Sequence, residues 1–135
     1  MTEDACAAPA HPEFAVLESI YLQVVEASPD AKIVIDGDGV IVVFNRQAEY
    51  LFGHHRSEVI GKKVEVLLDA DISEKHAAHR NAYFREPRTR EMGVGQVLNG
   101  RKRTGVPFPV QIKLAPMVII GAGLHVLAVV RAVKE

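Results

Sequence analysis

The chain has 135 residues, of which 48% are hydrophobic and 24% charged, so one compact domain with a single buried core is expected rather than a disordered or fibrous chain. A formal net charge of −1 carries no basic field to gather phosphate backbones, which argues against nucleic acid as a partner. The one cysteine, Cys6, excludes an internal disulfide, a CxxC redox pair and a thiolate metal cage, and fits a reducing cytoplasm.

Residues 1–12 are rich in Ala, Pro and acids and read as a flexible leader, without the basic and apolar regions of a signal peptide. Phe14, Leu17, Ile20, Tyr21, Val24 and Val25 then recur at three-and-four spacing, which predicts an amphipathic helix over 13–28 that stops before Ser28-Pro29. The rest, 29–135, forms the core of the domain. It opens with two β-branched runs, Lys32–Ile35 and Val40–Phe44, separated by Asp36-Gly37-Asp38-Gly39, the pattern of a β-hairpin. That Asp-Gly string lacks the distal glutamate of a calcium loop.

Asn45 is placed to cap a short helix whose inward residues are Ala48, Leu51 and Phe52 and which ends at Gly53. Ser57–Ile60 reads as a further turn or two of helix, and Val64, Val66, Leu67 and Leu68 as a short apolar segment. Asp71 or Ser73 begins a longer helix through about Phe84, closed by Pro87. Strands are predicted at about Met92–Asn99, Val106–Ala115 and Leu124–Val133. The basic run Arg101-Lys102-Arg103 lies between Gly100 and Gly105 and reads as a solvated hairpin turn. The apolar tail Leu114–Val133 is broken by Pro116, Gly121, Gly123, His125 and Arg131, so no membrane span or membrane partner is expected.

Two strands, short helices and three strands make an α+β arrangement: a five-stranded antiparallel sheet with the helices packed on one face and the amphipathic helix in front. Several strings in this order resemble the PAS family. They are Ser28-Pro29-Asp30-Ala31, Phe44-Asn45-Arg46-Gln47-Ala48-Glu49, Leu51-Phe52-Gly53 with Ser57–Lys62, and Gly93–Val97 followed by Gly100–Gly105 and Phe108–Ile112. The resemblance spans about residues 18–133 and implies the PAS fold, with a pocket between helices and sheet.

The chemistry-bearing cluster is Lys75–Phe84, where His76 and His79 share a helical face with Tyr83 and two alanines leave room for a flat group. The resemblance extends to the haem-binding oxygen-sensor PAS subfamily. It implies His76 as the ligand of haem iron and Gln96, twenty positions on, as the distal polar residue. Gln96 departs from that subfamily, which usually carries arginine there. The competing reading makes His76 and His79 half-exposed helix residues with no cofactor. A His-x-x-His zinc site joined by His54 or His55 lacks a cysteine or carboxylate to complete it. The flavin photochemistry of light-sensing relatives needs a cysteine in the helical region, which this chain does not have.

Pocket-lining residues are expected to be Val64, Leu67, Ile72, His76, Tyr83, Met92, Val94, Gln96, Ile112 and Leu114. No phosphate loop, nucleophile elbow or paired acids occur, so no enzymatic activity is expected. The resemblance implies a sensory module that binds a small ligand or haem and relays the event through protein contacts to a signalling partner or tethered effector domain. The alternative is a ligand-free dimerisation or interaction module. A homodimer is expected through Phe14, Leu17, Ile20, Tyr21 and Val24, unless that helix caps its own sheet.

Overall fold

The computed structural model describes residues 12–68, 80–87, 90–92 and 98–133. The leader (1–11), His76, His79, Ile72, Val94 and Gln96 lie outside the described residues.

Helix α1 spans Pro12–Ala27, and β1 (Ala31–Ile35) and β2 (Ile41–Phe44) follow. In β1 the side chains alternate between buried and half-buried, as a strand with one face on the core requires. The predicted hairpin forms, with Ile33 opposite Phe44 and Val34 opposite Val43. Its turn is built by Asp36, whose Oδ1 accepts from the amides of Asp38 (2.9 Å) and Val40 (3.0 Å). Gly39 closes it at φ 81°, a left-handed backbone that disfavours a side chain.

Helix α2 (Arg46–Phe52) starts where Asn45 Oδ1 accepts from the Ala48 amide, and it ends at Gly53 in the left-handed region. Helix α3 (Arg56–Val59) is capped by His55, whose Nδ1 accepts from the Ser57 amide while the Glu58 carboxylate accepts from the His55 amide. A 3-10 turn (Val64–Leu67) leads out of it, and α4 covers residues 80–85. The remaining strands are β3 (Arg90–Met92), β4 (Leu98–Arg101), β5 (Pro107–Ile119) and β6 (Gly123–Ala132).

The sheet order is β2-β1-β6-β5, all antiparallel, with β3 and β4 both pairing β5 at the far edge. β4 runs beside Pro107–Val110 and β3 beside Ile112–Leu114, so the two segments occupy one strand position in tandem. Five positions therefore make the sheet, as the sequence predicts. The expected third strand, 92–99, is replaced by these two segments, and residues 93–97 between them are outside the described set.

β5 also runs four residues past its predicted end at Ala115. The prediction stopped at Pro116 because proline lacks an amide for the ladder. Among the described residues, β5 beyond Leu114 pairs with β6, where Pro116 lies opposite Val126.

The core lies on one face of the sheet, where Ile33, Ile41, Phe44, Ala48, Phe52, Val59, Leu67, Val110, Val126 and Val130 are buried. Phe52 packs edge-on against Phe108 at 5.4 Å between ring centres and lies 6.1 Å from Phe44. Gly100 fits between these rings because a Cβ there would stand 3.0 Å from Phe52 and 3.1 Å from Phe108.

α1 is the exception to burial. Phe14, Leu17, Ile20, Tyr21 and Val24 are all exposed, so this helix does not lay its apolar face on its own sheet. Its last turn is anchored to the core of the domain. The Val25 carbonyl accepts from Asn45, and Glu26 pairs with Arg56 at 2.7 Å.

Candidate functional site

The sheet curves under the helices without closing on them and leaves a cavity of about 660 Å³. Its floor is apolar: Ile33 and Ile35 of β1, Val110, Ile112 and Leu114 of β5, and Val126, Ala128 and Val130 of β6. Their two-residue spacing within each strand puts them all on the same face. The roof consists of Phe52, Val64, Leu67 and Leu68, together with Arg80, Ala82, Tyr83, Phe84, Glu86 and Pro87 on and after α4.

Of the residues singled out in the sequence, Val64, Leu67, Tyr83, Ile112 and Leu114 line this space. Met92 lies in β3 opposite Ile112. Ile72, His76, Val94 and Gln96 fall outside the described residues. His54 and His55, considered for zinc, lie on the loop after α2, and His55 is engaged in capping α3. No group of three metal-ligating side chains occurs among the described residues.

Sequence reasoning missed the β1 and β6 walls, Val110, Phe52, Leu68 and Arg80. The β6 wall was legible in the alternation Val126, Ala128, Val130. Arg80 was not, because an arginine on an amphipathic helix reads as a solvated side chain.

In the fold only 10% of the Arg80 side chain is exposed. Its Nη1 donates to both carboxylate oxygens of Glu65 on the 3-10 turn, whose side chain is 16% exposed. Its Nε is buried with no hydrogen-bond partner. The guanidinium lies across the open face of Gly39, where any Cβ would overlap it. The cavity wall, the 3-10 turn and the β1–β2 turn thus meet at one side chain. Val64 N also donates to Gly39 O (2.9 Å), and Val40 and Lys63 form an isolated bridge.

Other charges hold the frame. Arg56 reaches Glu49 (3.2 Å) as well as Glu26, and this hydrogen bonding holds the Glu49 carboxyl below its ordinary range and raises the Arg56 guanidinium. Arg131 forks onto Asp30 (2.8 and 3.1 Å) and lowers that carboxyl in the same way. Burial pushes His54 below its ordinary value of 6.5, and its Nδ1 has no partner.

A sequence model of the PAS fold matches residues 19–133. The chain belongs to the PAS family. Among curated relatives, this PAS domain is 35% identical over 89 residues to the sensor protein FixL of Bradyrhizobium diazoefficiens, a match covering 66% of the chain and 18% of that protein. It is 25% identical over 114 residues to the oxygen sensor protein DosP of Escherichia coli, covering 84% of the chain and 14% of that protein. These matches therefore take in less than a fifth of either relative. Among solved structures, the PAS domain of an HTR-like protein from Haloarcula marismortui superposes with a TM-score of 0.73 at 21% identity, covering 90% of this chain and 95% of that one. At that identity the likeness establishes the PAS fold. No helix among the described residues is long and apolar enough to cross a membrane.

Proposed function

We propose that this PAS domain is a ligand-responsive, non-catalytic sensory module whose cavity holds a small apolar molecule or haem. One observation carries the reading: a partly open, mainly apolar space of about 660 Å³ between the helices and the sheet. Natural cores pack to near-crystalline density with few voids larger than a water molecule, and ligand pockets run to about 300–1,000 Å³. A chain that served only as a filled interaction module has no use for such a space.

For haem, the described walls fit the group: the floor is apolar and Tyr83 and Ala82 stand on the roof. His76 would hold the iron and Gln96 would face the opposite side; the iron would make the domain responsive to a diatomic gas. Kinship with a sensor protein and an oxygen sensor protein supports this version. Occupancy would shift α4 and the sheet edge, and a population shift there would pass to a signalling partner or tethered effector domain. The exposed apolar residues of α1 favour a homodimer through Phe14, Leu17, Ile20, Tyr21 and Val24, with the module working in the cytoplasm.

The test is an absorption spectrum of protein purified from haem-replete cells. A Soret band abolished by His76→Ala supports haem. No band, and none gained on haem titration, sinks the haem version. The wider ligand reading is then decided by native mass spectrometry of the purified domain, in which bare protein with no adduct and no thermal shift by any apolar compound in a screen counts against it.

A further inference from the structure

The β4–β5 turn and the loop after α2 are joined into one surface. Arg103 N donates to Phe52 O at 2.9 Å, and a Cβ on Gly53 would stand 3.9 Å from the Cβ of Arg103. This contact brings the basic run Arg101-Lys102-Arg103 beside His54, and Lys62, just past α3, acts on the same ring. Burial lowers the His54 pKa, Glu58 raises it, and the charges of Arg103, Lys62 and Arg101 lower it further. Three cations therefore act on one point against a single carboxylate, in a chain whose formal net charge is −1.

The cations of the turn are held by contacts that leave most of their charge uncompensated. Arg101 Nη2 donates to the Val66 carbonyl (3.3 Å), and Lys102 Nζ stands 5.3 Å from the centre of the Phe108 ring, both of them neutral groups. Glu58 meets Arg103 at 3.3 Å and also accepts from the His55 amide. Long side chains already fixed in place lose less freedom when a partner arrives. The same two segments carry exposed apolar side chains, Ile60 before Lys62 and Val106 after Arg103, and the Val106 carbonyl accepts from Lys102 N (3.0 Å).

From this geometry we infer that the surface formed by His54, Lys62, Arg101 and Arg103 docks an acidic segment of a partner polypeptide, in which carboxylates alternate with apolar side chains. The inference rests on the module passing its signal to another polypeptide, and it supplies that polypeptide's chemistry. Carboxylates complement Arg101, Arg103 and Lys62, while apolar side chains cover Ile60 and Val106. The docked segment also lies next to the cavity wall. Phe52 and Gly100, which line the cavity, directly precede Gly53 and Arg101, and Leu68 bridges to Gly100.

The experiment uses the whole chain at about pH 7 and about 50 mM salt with three labelled octamers. One is a blocked peptide built from Glu-Glu-Leu repeats, the second the same peptide with Gln for every Glu, and the third a deoxythymidine oligonucleotide. Affinity is read by fluorescence anisotropy, and the place of binding by NMR titration of the His54 ring. The acidic peptide is expected to bind about tenfold or more tightly than its Gln counterpart and to weaken severalfold at about 300 mM salt. Lys62→Gln with Arg103→Gln, both at exposed positions, is expected to weaken it about three- to tenfold, as the loss of two exposed ion pairs implies. Arg46→Gln with Lys113→Gln removes the same charge from other exposed positions and is expected to leave the affinity unchanged. The bound acidic peptide is expected to raise the His54 pKa, because its carboxylates offset the three cations beside that ring.

An acidic peptide that binds no better than its Gln counterpart, equal losses in the two double variants, or a His54 titration unmoved by the peptide overturns the inference. Each of these leaves the cavity reading to its own spectroscopic and mass-spectrometric tests. An oligonucleotide that binds more tightly than the acidic peptide overturns the polypeptide as occupant. If the Lys62 and Arg103 double variant fails to fold, the His54 titration in the unsubstituted chain decides alone.

Discussion

Asn45 Nδ2 donates to the carbonyl of Val25 at 2.8 Å and so binds the last turn of α1 to the start of α2. The same amide donates to Asp30 O (3.0 Å), and its oxygen accepts from the amides of Lys32 (2.8 Å) and Ala48 (3.0 Å). This fully buried side chain thus uses all four of its hydrogen-bonding positions to join α1, the α1–β1 link, β1 and α2. Asn45→Asp keeps the shape but removes both donors. Chemical denaturation is expected to show a loss of about 3 kcal/mol, since each buried acceptor left unpaired costs about 1–3 kcal/mol. A loss below about 1 kcal/mol would show that water replaces the amide.

Gly39 and Gly61 both sit at positive φ, 81° and 93°, yet only Gly39 is covered by another side chain. Gly61→Ala is expected to cost only the backbone term, about 1–2 kcal/mol. Gly39→Ala must also expel the Arg80 guanidinium from its seat, so its cost is expected to be clearly larger. Equal unfolding free energies for the two variants would show that Arg80 relocates freely.

His54 predicts an acid dependence. Burial lowers its folded-state pKa below the ordinary 6.5, so below that value the unfolded chain binds more protons than the folded one. The associated stability is complete above about pH 6.5 and falls as pH is lowered through that value toward the folded pKa. His54→Gln is expected to flatten the slope that begins as pH falls below about 6.5. Glu49 and Asp30, whose carboxyls are lowered by Arg56 and Arg131, contribute stability that is lost only at lower pH, below their ordinary carboxylate values of 4.5 and 3.8. Denaturation midpoints measured from pH 8 down to about pH 2 in both proteins separate the two windows.

Ala128 lies on the cavity floor opposite Leu114. Ala128→Leu is expected to fill part of the space and to hold or raise thermal stability, by up to about 2 kcal/mol for a well-placed filling residue. Ligand uptake is expected to fall sharply at the same time. Unchanged uptake together with lower stability would place the ligand elsewhere.

Leu17 and Ile20 are exposed on α1, so aspartate there removes no core contact. Leu17→Asp and Ile20→Asp are expected to leave the unfolding free energy within about 0.5 kcal/mol, as for other surface changes. Sedimentation equilibrium is expected to show a dimer weakened by each substitution. A wild-type chain that stays monomeric at all concentrations would remove α1 from the proposed interface.

The elements of this protein were legible in its sequence because their signals are local. The Asp36–Gly39 turn, the Asn45 cap, Gly53 and the alternation in β1 each act within a few residues. The order of the elements and their PAS-like strings gave the family before any coordinates. The strand end at Pro116 was less legible: β5 continues through it, with Pro116 opposite Val126 of β6.

The site divides along the same line. Tyr83, Ile112 and Leu114 could be assigned to the cavity because periodicity determines which face a side chain occupies. The resemblance implied a pocket between helices and sheet, but its size and the walls that bound it depend on packing among residues distant in the chain, so those came only from the tertiary structure. Arg80 is the clearest case. By sequence it is one charge among several on a helix, and it becomes a buried cation because Glu65, fifteen residues earlier, and Gly39, at a turn in another part of the sheet, close around it.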